Sequence, residues 1–355
     1  MLTRRQTLAG LGAMPLAGVA LDATAMTPFV VPAEEEPHEL TFMQWPVSRQ
    51  VYDDAGFLRH VQRTIADVAN AIAGFEPVVL MADAEHHERI RRLVSEDVTL
   101  WDIPTEDLWC RDSGPIVAIN DLGERAVKHI RFNGWGNRQV HRHDGRIAER
   151  AAAALGLPMR DTGLHGEAGG VEQDGHGLLM AHESSWVVDN RNPGMSRAAV
   201  EDALLAAYGA DRMIWAPGVF GEDITDYHID SLARFTGPGR VLMNQPKTPD
   251  PRDPFHSAAA ETETILRGAG LEVEVIPEPE RRRVRAYDFV ASYVNYYVCN
   301  GAVIAAQFGD SETDTIAKDA LKRHYPGREI VMLNADALGE IGGGIHCATH
   351  QVPAV

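Results

Sequence analysis

Apolar positions along this chain alternate between two spacings. Short continuous or period-two runs read as strands, and stripes of period 3.6 between them read as helices. Phe57, Leu58, Val61, Ile65, Val68 and Ile72 form one such stripe, so a helix capped by Asp54 is expected to reach Ala73. Further helices are expected over Ala84 to Val94, Arg146 to Leu155, Ser196 to Tyr208, Ala258 to Arg267 and Thr313 to His324. Strands are expected at His38 to Pro46, Val78 to Met81, Val98 to Trp101, Ile116 to Ile119, Val127 to Phe132, Leu178 to Ala181, Trp186 to Val188 and Met213 to Trp215. Leu232 to Phe235, Val241 to Met243, Leu271 to Ile276, Phe289 to Val298, Ala302 to Ala306 and Glu329 to Leu333 complete the strands. A strand-strand-helix-strand unit therefore recurs roughly five times. Proline-rich Pro246 to Pro254 reads as a lid-like loop. No proline or charge run is long enough for a linker, so residues 33–355 read as a single α/β domain.

The first residues stand apart. Arg4-Arg5 precedes the small and apolar run Leu8 to Leu21, and Ala23-Thr24-Ala25 supplies small residues for cleavage. Residues 1–25 resemble a twin-arginine export signal, which predicts a periplasmic or secreted protein. No later stretch is long enough for a stable membrane span.

Charge narrows the partners. Lys plus Arg number 33 against 51 Asp plus Glu, for a formal net charge of -18, which repels nucleic acid and favours a small cation. The three cysteines, Cys110, Cys299 and Cys347, lie too far apart for a zinc pattern, and they cannot all pair. No GxGxxG or GxxxxGK[ST] motif occurs, so no cofactor is expected. His141-Arg142-His143 and His86-His87-Glu88 lack companion ligands and read as solvent-facing. Whether like chains assemble is left open by the sequence.

Four stretches carry chemistry. Cys347 follows Gly342-Gly343-Gly344, where glycine permits close approach to a thiol. Asp112 sits in Trp109-Cys110-Arg111-Asp112-Ser113-Gly114-Pro115 and could receive a cation, with an Arg111 ion pair tying the turn as the plainer reading. In Asp226-Tyr227-His228-Ile229-Asp230, read as a strand, 226, 228 and 230 point one way, and two carboxylates beside an imidazole suit a general acid. A metal site is the alternative for the same residues. Glu167, ahead of Ala168-Gly169-Gly170 and an Asp174-Gly175 hairpin, could orient His228 or share its proton.

Taken together with Met43-Gln44-Trp45-Pro46, Phe132-Asn133-Gly134-Trp135-Gly136, Asn190-Arg191-Asn192-Pro193, Ala291-Ser292-Tyr293-Val294-Asn295 and Gln307-Phe308-Gly309-Asp310, these blocks resemble the agmatine deiminase family, whose relatives include bacterial peptidylarginine deiminases. The resemblance implies a five-bladed α/β-propeller (pentein) of pseudo-symmetric ββαβ units. It also implies hydrolysis of a guanidino substrate without a cofactor, through a thiouronium intermediate: agmatine to N-carbamoylputrescine and ammonia or, as the alternative, peptidylarginine to citrulline. By position it makes Cys347 the nucleophile, His228 the general acid and base, Asp112 and Asp230 the guanidinium-binding carboxylates, Glu167 the glutamate beside the histidine, and Trp109, Asn295 and Asp226 substrate-binding groups. Where that family reads N-D-E-T-D-G-H-V-D, this chain has Ile224 for the glutamate and Tyr227 for the glycine.

Overall fold

A computed structural model describes residues 27–286 and 288–355. The expected export signal lies outside the described residues. Among them, no helix is long and apolar enough to cross a membrane.

The architecture is five small mixed sheets. The second blade holds β4 (Ile116–Ile119), β5 (Arg125–Arg131) and β6 (Met159–His165), and the third holds β7 (Val171–Gln173), β8 (Leu178–His182) and β9 (Arg212–Ala216). The fourth holds β10 (Ala233–Phe235), β11 (Arg240–Gln245) and β12 (Glu272–Pro277); the fifth, β13 (Tyr297–Cys299), β14 (Ala302–Gln307) and β15 (Glu329–Asn334). In each, the first strand pairs antiparallel with the second, and the second pairs parallel with the third. A parallel pair needs a crossover, which one helix per blade supplies.

The first blade is assembled from both ends of the described chain. β1 (His38–Gln44) pairs parallel with β2 (Val78–Ala82), β2 with β3 (Val98–Asp102), and β1 antiparallel with β16 (Thr349–Pro353). The crossover helices, in blade order, are α1 (Ala55–Ala73), α2 (Ile147–Leu155), α3 (Arg197–Tyr208), α4 (Pro254–Gly268) and α5 (Ser311–His324).

Local chemistry sets these boundaries. Asp54 caps α1 by accepting from the Phe57 amide, and the stripe Leu58, Val61, Ile65, Val68, Ile72 is buried against β2 and β14. Each such side chain contributes about 1.5–3 kcal/mol of burial. Ser196 caps α3, and Gly209 ends it at φ 69°. Asp253 accepts from Phe255 and His256 ahead of Pro254, so α4 starts four residues earlier than its apolar stripe indicates.

Several expectations are corrected. Trp186 belongs to a helical turn, its indole donating to the Gly170 carbonyl at 2.7 Å, and β8 takes β7 as its antiparallel partner. The apolar run from Phe289 is strand only over Tyr297–Cys299, because Phe289 to Tyr296 packs as irregular backbone. The helix expected over residues 84–94 is shorter, a 3-10 turn at Ala84–His86 running into a single α-turn at His87–Ile90. β6 and β16 went unread, the first being polar and broken by Gly163, the second lying behind the glycine run. Residues 226–230 are not a strand: Asp226 and Tyr227 sit at φ 60° and 66°, and Ile229–Ser231 is a 3-10 turn.

Candidate active site

Every expected reacting group stands just before the first strand of a blade. Asp112 precedes β4, Glu167 β7, His228 and Asp230 β10, Asn295 β13, and Cys347 β16. Five pseudo-equivalent leads thus bring together groups drawn from across the sequence. The second lead is tied to the first blade's, since the Arg111 amide donates to the Cys347 carbonyl at 3.0 Å. Ser113 Oγ donates to Gln44 Oε1 at 2.5 Å, which fixes the turn carrying Asp112 against β1. Arg111 itself pairs with Glu34 at 2.8 Å, the plainer of its two readings.

At the centre, Cys347 Sγ lies 3.5 Å from Asp230 Oδ2. The Asn295 amide brackets the residue, with Oδ1 3.3 Å from the Cys347 backbone nitrogen and Nδ2 3.1 Å from the sulfur. His228 Nε2 meets Glu167 Oε2 at 3.2 Å, and Nδ1 lies 3.7 Å from Asp112 Oδ1. Asp112 Oδ2 accepts from the Trp135 indole at 2.9 Å, and Oδ1 from the Gly169 amide at 3.2 Å. Asp230 Oδ1 is buried with no hydrogen-bond partner. A buried carboxylate oxygen without a donor is what a guanidinium N–H would satisfy.

Close approach, more than turn geometry, explains the glycines. Of the three before Cys347, only Gly342 has positive φ, 89°. A Cβ on Gly343 would come 2.5 Å from the Trp109 ring, and one on Gly344 2.5 Å from Asn295 Oδ1. At Gly169 a Cβ would stand 2.8 Å from Asp112 Oδ1 and 2.9 Å from His228 Nδ1.

Burial and charge set the protonation states. Burial disfavours the imidazolium of His228, but Asp112 and Glu167 outweigh it and hold the ring's pKa up at about 9. Burial pushes Asp112 up to about 6, with His228 opposing. Asp230 moves the other way: against its burial, a hydrogen bond from His346 Nδ1 at 2.7 Å keeps it below the ordinary carboxylate value. Burial, then the charges of Asp230 and Asp112, push the Cys347 thiol well up, so it rests protonated until a cation arrives. Cys110 and Cys299 are fully buried, whereas Cys347 keeps some exposure.

One site expectation is corrected. Asp226 is wholly buried and spends its oxygens on Arg191 Nη1 at 2.6 Å, Arg138 Nη2 at 2.9 Å and the Gly221 amide at 2.8 Å, so it has none to offer a substrate. Its φ, not strand alternation, aims it. Arg191 in turn holds Glu167 at 2.9 Å, making Asp226 a support three contacts behind His228. Trp109, 9% exposed, packs on Gly343 beside the thiol. Among the described residues no cluster of three or more His, Cys, Asp or Glu is disposed to hold a metal ion.

The model of the Porphyromonas-type peptidyl-arginine deiminase family matches residues 30–353. The chain belongs to that family. A protein of Streptomyces coelicolor named "Putative agmatine deiminase" is 34% identical over 338 residues, covering 92% of this chain and 99% of its own. A Selenomonas ruminantium protein of the same name is 33% identical, covering 92% and 96%. The solved agmatine deiminase of Enterococcus faecalis superposes with a TM-score of 0.83 at 27% identity, covering 92% of this chain and 96% of that one. The five-bladed α/β-propeller expected from the sequence is thus the fold of this deiminase-family chain.

Three residues of this family member, His346, Glu34 and Arg191, escaped sequence reasoning. His346 is clamped between Asp230 and Glu34, whose Oε2 lies 2.9 Å from His346 Nε2. Arg191 links Glu167 to Asp226. Arg191 sits in the quoted Asn190-Arg191-Asn192-Pro193 block and His346 beside the cysteine, so the signal was present without a partner to interpret it. Tyr227 departs from glycine despite φ 66°, and its ring stacks on His182 at 4.7 Å and against Phe255 at 5.0 Å.

Proposed function

We propose that this protein hydrolyses a guanidino compound to the ureido product and ammonia through a covalent adduct on Cys347, with agmatine the substrate turned over. The observation that carries this reading is the meeting of a partly exposed thiol, an imidazole with a raised pKa and two carboxylates, one with a free buried oxygen. The names of the relatives support agmatine in particular.

Asp112 and Asp230 hold the planar cation by charge-assisted hydrogen bonds and set its central carbon against the sulfur. The bound positive charge lowers the thiol's pKa, its proton leaves to solvent, and the thiolate adds to that carbon. His228 gives its proton to one nitrogen, ammonia departs, and a thiouronium remains on Cys347. Neutral His228 then takes a proton from water as the oxygen adds. Collapse breaks the C–S bond, frees the ureido compound and restores the thiolate. Glu167, held by Arg191, keeps the ring in place for both transfers.

Ammonia release should appear with agmatine and vanish in Cys347→Ala. Silence with agmatine, free arginine and an arginine peptide would overturn the reading. A second reading, an arginine residue in a peptide, is favoured by Ile224, which packs against the apolar cluster where a carboxylate could have met a distal amine. A higher kcat/KM on the peptide would select it. The Arg4-Arg5 segment supports export, and fractionation of cells expressing the full chain tests it by finding the protein in the periplasm or the cytosol.

A further inference from the structure

The Glu167 carboxylate serves two partners at once. Its Oε2 accepts from Arg191 Nε at 2.9 Å and faces His228 Nε2 at 3.2 Å, while Oε1 lies 3.1 Å from the same arginine nitrogen. Arg191 stands in the loop between β8 and α3 and is 1% exposed. Its other N–H groups donate to Asp226 Oδ2 at 2.6 Å and to the Thr225 carbonyl at 3.1 Å. Asp226 also accepts from Arg138 Nη2 at 2.9 Å, and that guanidinium is partly exposed. Charges therefore alternate along one line from the surface to the general acid: Arg138, Asp226, Arg191, Glu167, His228.

Two cations and two anions stand behind the ring, so the line is neutral up to His228. The other titratable groups facing the ring are Asp112 at 3.7 Å, Asp230 on the turn that follows it, and His182, which burial holds down at about 4. Without Arg191 the same line would carry a net negative charge against the imidazole, which favours its protonated form.

That balance matters because His228 has two opposite tasks. Having protonated the departing nitrogen, the ring must stay neutral beside three carboxylates until water reaches the thiouronium. It then takes the water's first proton as the oxygen bonds to the thiouronium carbon. The C–S bond breaks with its electron pair returning to sulfur, and the proton of the added hydroxyl leaves to solvent. A ring reprotonated too early blocks this step.

We propose that Arg191 is a positioning residue for the second half of the reaction: by taking part of the Glu167 charge, it lets His228 remain neutral long enough to act as base. The inference rests on the thiouronium chemistry of Cys347 and assigns Arg191 more than the anchoring of Glu167. Loss of the cation should leave the first half-reaction, which uses the imidazolium, intact and slow the second.

Rapid-quench kinetics of Arg191→Gln at pH 8 test this, with agmatine or, where the wild type turns it over faster, an arginine peptide. A burst of about one ammonia per chain is expected. Turnover after it should be about tenfold slower than in the wild type, as a rise of about one unit in the ring's pKa would give. Intact-mass analysis of the quenched protein should show the adduct on Cys347. The variant's kcat should climb between about pH 7 and 9, where the base form limits, while the wild type's does not. Single-phase release, no adduct and an unmoved pH profile overturn the proposal.

Loss of a buried cation also costs stability, so circular dichroism checks the fold. If Arg191→Gln does not fold, Glu167→Gln and Glu167→Gln/Arg191→Gln decide, since the first change removes the charge that Arg191 shares. Matching kcat profiles in those two are expected, and a profile displaced by the arginine change overturns the proposal. A wild type silent toward every guanidine overturns the thiouronium chemistry and this inference with it, whereas an active wild type without the variant's burst overturns this inference alone.

Discussion

The leads of the second and fourth blades each deliver an aspartate to the same thiol, yet the two carboxylates are tuned in opposite directions. Asp112 is pushed up to about 6 by burial, and the donors on its oxygens are neutral, the Trp135 indole and the Gly169 amide. Asp230 is more deeply buried but stays below the ordinary range, because His346 donates to one oxygen and is itself held by Glu34, which Arg111 and Arg234 pair with. Burial alone therefore does not decide how a carboxylate titrates; the hydrogen bonds it accepts and the charges around it also count. The pair is asymmetric by construction, one aspartate ionised throughout the working range and the other near its midpoint at its acid edge.

The largest test removes the sulfur on which both act. Cys347→Ala should lower ammonia release by about 10⁴-fold or more while leaving the circular dichroism spectrum unchanged. Asp230→Asn should cost about 10²–10³-fold in kcat/KM at every pH, since it leaves a bound cation facing an unpaired site. Asp112→Asn should cost a similar factor at pH 8, but the gap to wild type should narrow near pH 5.5, where wild-type Asp112 is already largely protonated. Equal pH dependence in the two variants would break the comparison.

Gly169→Ala should lower kcat by about 10²-fold, because the new methyl displaces Asp112 and His228 together. Wild-type kcat/KM should fall away below pH 6 as Asp112 takes up a proton, and kcat, read with the thiolate already formed, should fall through pH 9 as His228 loses the proton it must donate. The smallest effect belongs to Trp135→Phe. Loss of one donor to the ionised Asp112 raises its pKa, so the acid limb should move up by about 0.7 unit, the worth of one hydrogen bond of about 1 kcal/mol, with the alkaline limb fixed.

What the sequence made legible follows the same division. Cys347, His228, Asp112, Asp230, Glu167 and Asn295 stand out because they sit in five short motifs, His228 and Asp230 sharing one, and motifs at strand starts are a readable pattern. His346, Glu34 and Arg191 do not, since their meaning lies in contacts: Glu34 and His346 are 312 positions apart. Asp226 misleads because alternate spacing around a histidine looks like a strand, while two consecutive positive φ values turn the backbone instead. Crossover helices were read to within a few residues from their stripes and caps. β6 and β16 were not, one for want of apolar alternation and the other because its burial depends on β1.

That pairing of β16 with β1 has a consequence for biogenesis. Cys347 stands two residues before a strand whose only sheet neighbour among the described residues was synthesised some three hundred residues earlier. While residues 349–353 are still inside the ribosome, the ring lacks its closing staple and the sulfur has no fixed aim. Catalytic competence should therefore switch on abruptly once residues 349–353 have emerged and paired with β1, and a nascent chain already carrying four complete blades should be chemically silent toward guanidines.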